Sequence, residues 1–288
     1  MVAPIAKVAF RGADERDAST TPLFPAPSVR IDVISFLTRP LRLVALIAVI
    51  GIAGGAYWVW NGAHTSTAAD QNSALTEYRQ QAVAATTAKP GVPAPGVYRY
   101  RSTGTESAGS GVLSASRPLP DEAVYVITPR EDGYHEDLRL SEEHVEEANF
   151  RVDATGTIAT WRRTKVTFLG IGEDDRDDVK PASLDHPAKL AVGKSWSGAY
   201  RLGDLSVTYT GKVTAKETAT LDGKTIPVFV LRTDSSFTGS TPGTRTDVIR
   251  WSPALSIPVT WSIDQTTSGD ADFTISAKLT LLSGAPLR

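Results

Sequence analysis

Three of the four histidines lie beside carboxylates, the pairing that general acid–base and zinc chemistry use. These groups are His135 with Glu136 and Asp137, His144 with Glu142 and Glu143, and His186 with Asp185. Their spacing matches no metal-ligand pattern, and such residues at strand ends are usually exposed polar groups. The sequence therefore predicts no cofactor and no metal, and it favours a protein without catalytic residues. A hydrolase with a dispersed site is the alternative.

Two other segments resemble ligand sites. Ala188 to Ser195 ends in Gly193-Lys194-Ser195 like a phosphate-binding loop, but its first glycine is replaced by Ala188 and the residues that follow alternate like a strand. A phosphate cradle needs a helix N-terminus, so a turn is favoured. Glu173 to Asp178 concentrates carboxylates without the spacing of a calcium loop, which favours a solvated acidic loop.

Composition excludes several classes of protein. The chain of 288 residues has no cysteine, so it has no disulfide, no thiolate metal site and no lipidated cysteine. The formal net charge is −2, and no nucleic-acid-binding motif is present. Nucleic acid is therefore not expected as a partner.

An apolar segment near the N-terminus predicts one membrane crossing. Leu43 to Trp60 contains no charged residue and as a helix would span about 27 Å, close to the ~30 Å hydrocarbon thickness. Arg39 and Arg42 precede the segment, while no Lys or Arg occurs from Asn61 to Glu77. By the positive-inside bias the N-terminus stays in the cytoplasm and the rest lies outside a bacterial cell membrane.

Two alternatives concern this segment. A cleaved signal peptide is disfavoured because the preceding region of roughly 40 residues is too long for a signal peptide and because Tyr57 and Trp58 occupy the place of small cleavage-site residues. Gly51 and Gly55 form a small-xxx-small pair that would allow a weak homodimer.

The chain divides into four predicted parts. Residues 1–38 form a flexible cytoplasmic tail, 39–60 the transmembrane helix, 61–95 a stalk or linker, and 96–288 an extracytoplasmic β-domain. The linker is rich in Ala, Thr, Ser and Pro, with a short helix expected around Ser73 to Ala85. Ser141 to Asn149, with four glutamates, is expected to be a short helix or a solvated loop.

Alternation with period two dominates the last part and predicts half-buried antiparallel strands. Asp222-Gly223 lies between two such runs, as a hairpin turn requires. The sequence predicts a mainly β fold, a curled antiparallel meander sheet that forms a half-barrel or a barrel. The apolar residues expected on one side of this sheet, and expected to bind a ligand, are Leu205, Val207, Tyr209, Ile257, Val259, Trp261, Phe273, Ile275 and Leu279.

Two interpretations of that apolar side stay open. The sheet closes and fills its interior with these side chains, as small barrels do, or it keeps a cavity above ~300 Å³ for a ligand. The four tryptophans of the domain are expected in the core, since aromatic side chains bury the largest area.

A resemblance supports the second interpretation. Val192-Gly193-Lys194-Ser195-Trp196, Asp222-Gly223-Lys224 and Trp251-Ser252-Pro253 before Ile257-Pro258-Val259 resemble patterns in uncharacterised actinobacterial membrane-anchored envelope proteins, and distantly curved-sheet domains of lipoprotein-carrier type. The similarity covers about the last 100 residues and implies a concave apolar surface without catalytic residues. The absence of cysteine departs from the lipid-anchored members. The expected function is a membrane-tethered binding or scaffold domain for a lipid-like ligand or an envelope protein.

Overall fold

The structure, a computed structural model, describes residues 65–81, 90–110, 113–168, 171–269 and 271–288. The predicted cytoplasmic tail, the predicted transmembrane helix and the Gly51/Gly55 pair lie outside these ranges. Within the part that is described, no helix has both the length and the apolar character that crossing a bilayer demands.

The described ranges contain one helix and thirteen strands. They are α1 (Gln71–Gln81), β1 (Gly96–Ser110), β2 (Leu113–Pro118), β3 (Glu122–Pro129), β4 (Gly133–Arg139), β5 (His144–Val152), β6 (Gly156–Phe168), β7 (Ile171–Pro187), β8 (Ser195–Leu202), β9 (Leu205–Leu221), β10 (Lys224–Thr238), β11 (Gly243–Ser252), β12 (Ile257–Thr267) and β13 (Asp272–Leu281).

Twelve of these strands form a closed antiparallel barrel. The strands β3 to β13 follow one another around the barrel, and β13 pairs with β1, where Tyr100 lies opposite Leu281. On its other edge β1 pairs with β3 near its start and with β2 near its end. The prediction of a mainly β antiparallel meander is confirmed, and the sheet closes into a barrel rather than a half-barrel.

Tight turns connect the long strands as the sequence indicates. Asp222 and Gly223 both have positive φ, 50° and 73°, and join β9 to β10 with Leu221 opposite Lys224. Asp-Gly is favoured in this turn because glycine adopts positive φ without steric cost. Gly193, with φ of 88°, lies in a turn that leads into β8, so the segment ending in Ser195 has no helix N-terminus for a phosphate.

Apolar side chains fill one end of the barrel. The main core cluster includes Tyr98, Ile127, Leu221 and Ile257, which lie near the β3–β4, β9–β10 and β11–β12 connections. Each of them is at most 8% exposed. Because this end is packed, any large interior space must lie towards the opposite end, where the β6–β7, β8–β9, β10–β11 and β12–β13 connections are found.

The helix α1, which lies in the segment predicted as a stalk, packs on the barrel. α1 buries Ala74 and Tyr78 against Val97, Val124 and Val126 on the outer face of β1 and β3. Asp70 begins the helix as an N-cap, since its carboxylate accepts a hydrogen bond of 2.8 Å from the Asn72 amide. The expected short helix is therefore present, and it covers apolar residues outside the barrel.

The segment predicted as a short helix or a solvated loop and the segment predicted as an acidic loop are both strands. Ser141 to Asn149 mostly belongs to β5, whose inward side chains include His144 and Glu146. Glu173 to Asp178 belongs to β7 and pairs with β6, where Arg163 donates hydrogen bonds of 2.7 Å to Asp174. The first prediction is wrong because His144 and Glu146 face the interior, where Glu106 and Arg245 of other strands pair with them. The second is wrong about the loop, whereas Glu173 to Asp178 are largely exposed, as expected.

Candidate functional site

A large cavity occupies the barrel beyond the packed end. Its volume is about 1430 Å³, above the ~300–1,000 Å³ that is typical of ligand pockets. Gly203, Ser240 and Gly269 line it at three connections of the same end of the barrel. The cavity therefore extends from the middle of the barrel to these connections, and a barrel of twelve strands is wide enough to hold it.

Aromatic side chains form much of the cavity wall. They are Tyr125, Tyr134, Phe150, Phe168, Trp196, Tyr200, Tyr209, Phe237, Trp251, Trp261 and Phe273. Of the four tryptophans expected in the core, Trp196 and Trp251 are each 9% exposed. Trp161 instead lies beside His135, with ring centroids 6.2 Å apart.

Five of the nine residues predicted to bind a ligand line this cavity: Leu205, Val207, Tyr209, Trp261 and Phe273. Ile257, Ile275 and Leu279 belong to the main core cluster instead. Val259 is 3% exposed and does not line the cavity. Whether any of the nine contacts a ligand stays a prediction.

A β-bulge explains why β12 departs from the expected pattern. Trp251 pairs with Pro258 and Arg250 pairs with Thr260, which leaves Val259 as the extra residue. A bulge reverses the alternation of side chains along a strand. Pro258 therefore lines the cavity, whereas Ile257 and Val259 do not.

A chain of buried charges crosses the interior from β2 to β5. Arg117 Nε donates a hydrogen bond of 2.6 Å to Glu106 Oε1, and His144 Nδ1 lies 2.8 Å from Glu106 Oε2. Glu106, Arg117 and His144 are each at most 2% exposed. Burial opposes the charged imidazole, but the hydrogen bond to Glu106 and the carboxylate of Glu146, 3.5 Å from Nε2, outweigh it and raise the pKa of His144 to about 9.

The same chain continues to β11 and β12. Arg245 donates hydrogen bonds of 2.8 and 3.1 Å to the two oxygens of Glu146, and its Nε donates one of 2.9 Å to Asp247. Trp261 Nε1 donates a hydrogen bond of 2.8 Å to Asp247. Although burial disfavours its charged form, Glu146 has a pKa far below its ordinary value because Arg245 and His144 stabilise the carboxylate.

A second polar group lies on β6 and β7. Arg162 Nη2 donates a hydrogen bond of 3.3 Å to Asp185, whose other oxygen lies 3.0 Å from His186 Nδ1. Burial would raise the pKa of Asp185, but His186 and Arg162 lower it. His186 Nε2 lies 3.3 Å from the hydroxyl of Thr157, which is 3% exposed and does not line the cavity.

Glu136 differs from Glu146, Asp185 and Asp247, the ion-paired acids of the cavity wall. Tyr125 donates a short hydrogen bond of 2.5 Å to Glu136 Oε2, and no ion pair joins Glu136 to an Arg, Lys or His among the described residues. Burial raises the pKa of Glu136 to about 7. This carboxyl group therefore changes charge near neutral pH.

Replacing Glu136 with glutamine should stabilise the protein at pH 8 and leave its stability nearly unchanged at pH 4. The folded-state pKa of about 7 exceeds the ordinary 4.5, so wild-type stability falls as the pH rises from about 4.5 through 7. We expect the variant to gain about 2 kcal/mol at pH 8, less than the full linkage value because the cavity is solvated. Urea denaturation of the full-length chain, followed by circular dichroism, measures the free energy of unfolding at both pH values. An equal effect at both pH values would contradict this assignment.

The histidine groups considered from the sequence separate in the fold. His144 and His186 line the cavity, each within 3.0 Å of a carboxylate oxygen. His135 instead lies in a separate groove of about 290 Å³ beside α1, with Nδ1 2.9 Å from Asn149. No cluster of three or more metal-ligating side chains occurs in the described part of the chain.

Several polar residues of the cavity could not be predicted from the sequence. Glu146 and Arg245 are 99 positions apart, and nothing local indicates that they meet across the barrel. A local signal existed only at the end of β5, where Ala148 and Phe150 alternate with Asn149 and Arg151 and lie on the same cavity face as His144 and Glu146. The four glutamates between 142 and 147 obscured this pattern.

Comparisons with protein-family models, with curated proteins and with solved structures found nothing that matches this chain.

Proposed function

We propose that the barrel binds one small amphipathic molecule in its cavity. The observation that carries this proposal is a cavity of about 1430 Å³ that has both an aromatic wall and buried charged groups. The aromatic wall offers a favourable environment to an apolar chain. Tyr125, Glu136 and Arg162 supply polar groups that would orient a head group, which is the usual composition of a ligand site.

Chain length should control the affinity of simple ligands. Burial of a methylene contributes about 0.8 kcal/mol, so affinity for n-alkanols should rise about fourfold per added carbon. Isothermal titration of the full-length chain in lipid nanodiscs, with empty nanodiscs as the blank, measures this series. Affinity that does not depend on chain length would contradict the proposal.

A variant that fills the cavity provides the control. Thr233 lines the cavity on β10, whereas Thr244 on β11 is exposed outside it. We expect Thr233→Trp to lower alkanol affinity at least tenfold and Thr244→Trp to leave it unchanged, because only the first indole would occupy the ligand volume. Equal effects of the two substitutions would place the alkanol elsewhere.

The sequence supports a membrane-tethered role outside the cytoplasm. Arg39 and Arg42 precede the apolar segment, and its other flank lacks Lys and Arg. A reporter that is active only outside the cytoplasm should therefore work when fused after Arg288 and fail when fused at Val2. Activity of the N-terminal fusion alone would reverse the proposed orientation.

Acid–base catalysis is the second candidate function. It is favoured by His186 and Asp185, which lie 3.0 Å apart and line the cavity. The hydroxyl that His186 reaches, on Thr157, does not line the cavity, so a reaction there would use water as the nucleophile. Hydrolysis of p-nitrophenyl octanoate that is lost in His186→Gln would favour this function.

A further inference from the structure

We propose that the ligand of this cavity carries a cationic amine head group, which pairs with Glu136. This inference rests on the proposed function, since it requires that the cavity be a ligand site. Its basis is the distribution of charge in the cavity wall.

Three other acids of the cavity wall have cationic partners within the protein. Glu146 pairs with Arg245 at 2.8 Å, and Asp247 pairs with Arg245 at 2.9 Å. Asp185 pairs with Arg162 at 3.3 Å. Glu136 has a hydrogen bond from Tyr125 but no cationic partner among the described residues, and Arg162 acts on it only as a more distant charge.

Glu136 is therefore the acid of this network without an ion pair among the described residues. The other acids of the network are Glu106, Glu146, Asp185 and Asp247, and their partners are Arg117, Arg162, Arg245, His144 and His186. A buried carboxylate without a counter-ion is costly. A ligand ammonium group would supply the missing positive charge.

The open end of the cavity is also negatively charged. Glu173, Asp175, Asp177 and Asp204 line it there, accompanied by Arg176. Acidic groups around an entrance attract cations and repel anions. An amine would therefore approach more readily than a carboxylate.

Aromatic rings lie on both sides of Glu136. Tyr125 donates to its carboxyl group, and Tyr134 precedes it by two residues on the same face of β4. Tyr134 also packs against Phe150, with ring centroids 5.1 Å apart. Such rings favour an ammonium group through their negative faces, which adds about 0.5–2 kcal/mol at a desolvated site.

A carboxylate head group on Arg162 is the competing arrangement. Arg162 Nε is buried without a hydrogen-bond partner, so a ligand oxygen would satisfy it. An anion there would, however, add a third acidic group beside Asp185 and Glu136. The charge balance therefore favours the amine. Titration with an amine and with a carboxylate of equal chain length distinguishes the two head groups.

Amine binding should strengthen as the pH rises. The charged or titratable groups that act on Glu136 or are acted on by it are Tyr100, Tyr125, Tyr134, Glu146, Arg162 and Asp185. The tyrosines have pKa values well above 10, and the pKa values of Glu146 and Asp185 are lowered. Glu136, with a pKa of about 7, is the member of this group that titrates between pH 6 and pH 8. Amine affinity should rise roughly tenfold over that interval.

Three probes of equal chain length test the proposal: n-octylamine, n-octanol and n-octanoate. They are titrated into the full-length chain in nanodiscs, with empty nanodiscs as the blank. Octylamine should bind at least tenfold more tightly than octanol at pH 8, and octanoate should bind most weakly. Octanoate as the tightest ligand would overturn the proposal while leaving the proposed function intact. Failure of all three probes would overturn both.

Matched variants locate the head group. Glu136→Gln should lower octylamine affinity about tenfold and octanol affinity much less, and a cooperative urea denaturation curve shows that the variant is folded. Glu122 is an exposed acid of the neighbouring β3 that pairs with Arg99, and Glu122→Gln should change neither the octylamine nor the octanol affinity. Tyr125→Phe removes the hydrogen bond to Glu136 and should move the midpoint of the octylamine pH profile above 7. Unchanged octylamine affinity in Glu136→Gln would overturn the proposal.

Discussion

Replacing Glu106 with glutamine is expected to lower the free energy of unfolding by about 3–5 kcal/mol, because it breaks a buried ion network while leaving its cations in place. Glu106 accepts hydrogen bonds from Arg117 on one oxygen and contacts His144 with the other. Glutamine has nearly the same size, but its amide group would face one of two cationic donors. The loss is therefore electrostatic rather than a packing defect.

The effect of this substitution should depend on pH. The pKa of folded His144 is raised to about 9 from 6.5, so its contribution to stability is complete below pH 6.5 and is lost as the pH rises through 9. Glu106→Gln should therefore cost less at pH 10 than at pH 6. Urea denaturation at the two pH values, followed by circular dichroism, measures this difference.

An exposed ion pair provides the control for Glu106. Glu122 pairs with Arg99 with both side chains more than 40% exposed. Such pairs contribute about 0–1 kcal/mol, so Glu122→Gln should have little effect at either pH. Equal losses in the two variants would contradict a buried network.

Gly104→Ala is expected to destabilise the barrel by about 3 kcal/mol or more through strain and collision at its closure. Gly104 has a φ of 140° and lies opposite Ala277 of β13. A Cβ at this position would collide with the carbonyl oxygen of Ser276. Because that contact is backbone, neither strand can move without disturbing the β1–β13 pairing that closes the barrel.

Gly223→Ala separates the cost of the backbone conformation from the cost of the collision. Gly223 also has a positive φ, 73°, but a Cβ there would meet no atom within 4 Å. Its alanine variant should therefore lose only about 1 kcal/mol, the cost of the backbone conformation alone. Thermal unfolding of the two full-length variants, followed by circular dichroism, compares their losses of stability. Similar losses would show that the collision at the β1–β13 pairing is unimportant.

Much of the fold could be predicted from local patterns. Leu205, Val207 and Tyr209 alternate with polar residues because one face of β9 is inside the barrel, and Asp222-Gly223 marks the turn that follows. Closure could not be predicted in the same way. It depends on pairing between β1 and β13, more than 160 residues apart, and no local signal specifies such a partner.

The polar half of the candidate site was predicted least well. His144 and Glu146 are inward residues of β5, but they are charged, and charged residues usually face solvent. Their burial is stabilised by Glu106 and Arg245 from distant strands. A sequence pattern based on hydrophobicity assigns such residues to the wrong face, since it does not include pairing between charges.

Analysis of the molecules that co-purify with the protein tests the proposed function most directly. Full-length wild type and the cavity-filling Thr233→Trp variant are purified in parallel, extracted with organic solvent and analysed by mass spectrometry. We expect an amphipathic molecule, close to one per chain, in the wild-type extract and its depletion in the variant extract. Equal amounts in both extracts, or none in either, would contradict a ligand site inside the barrel.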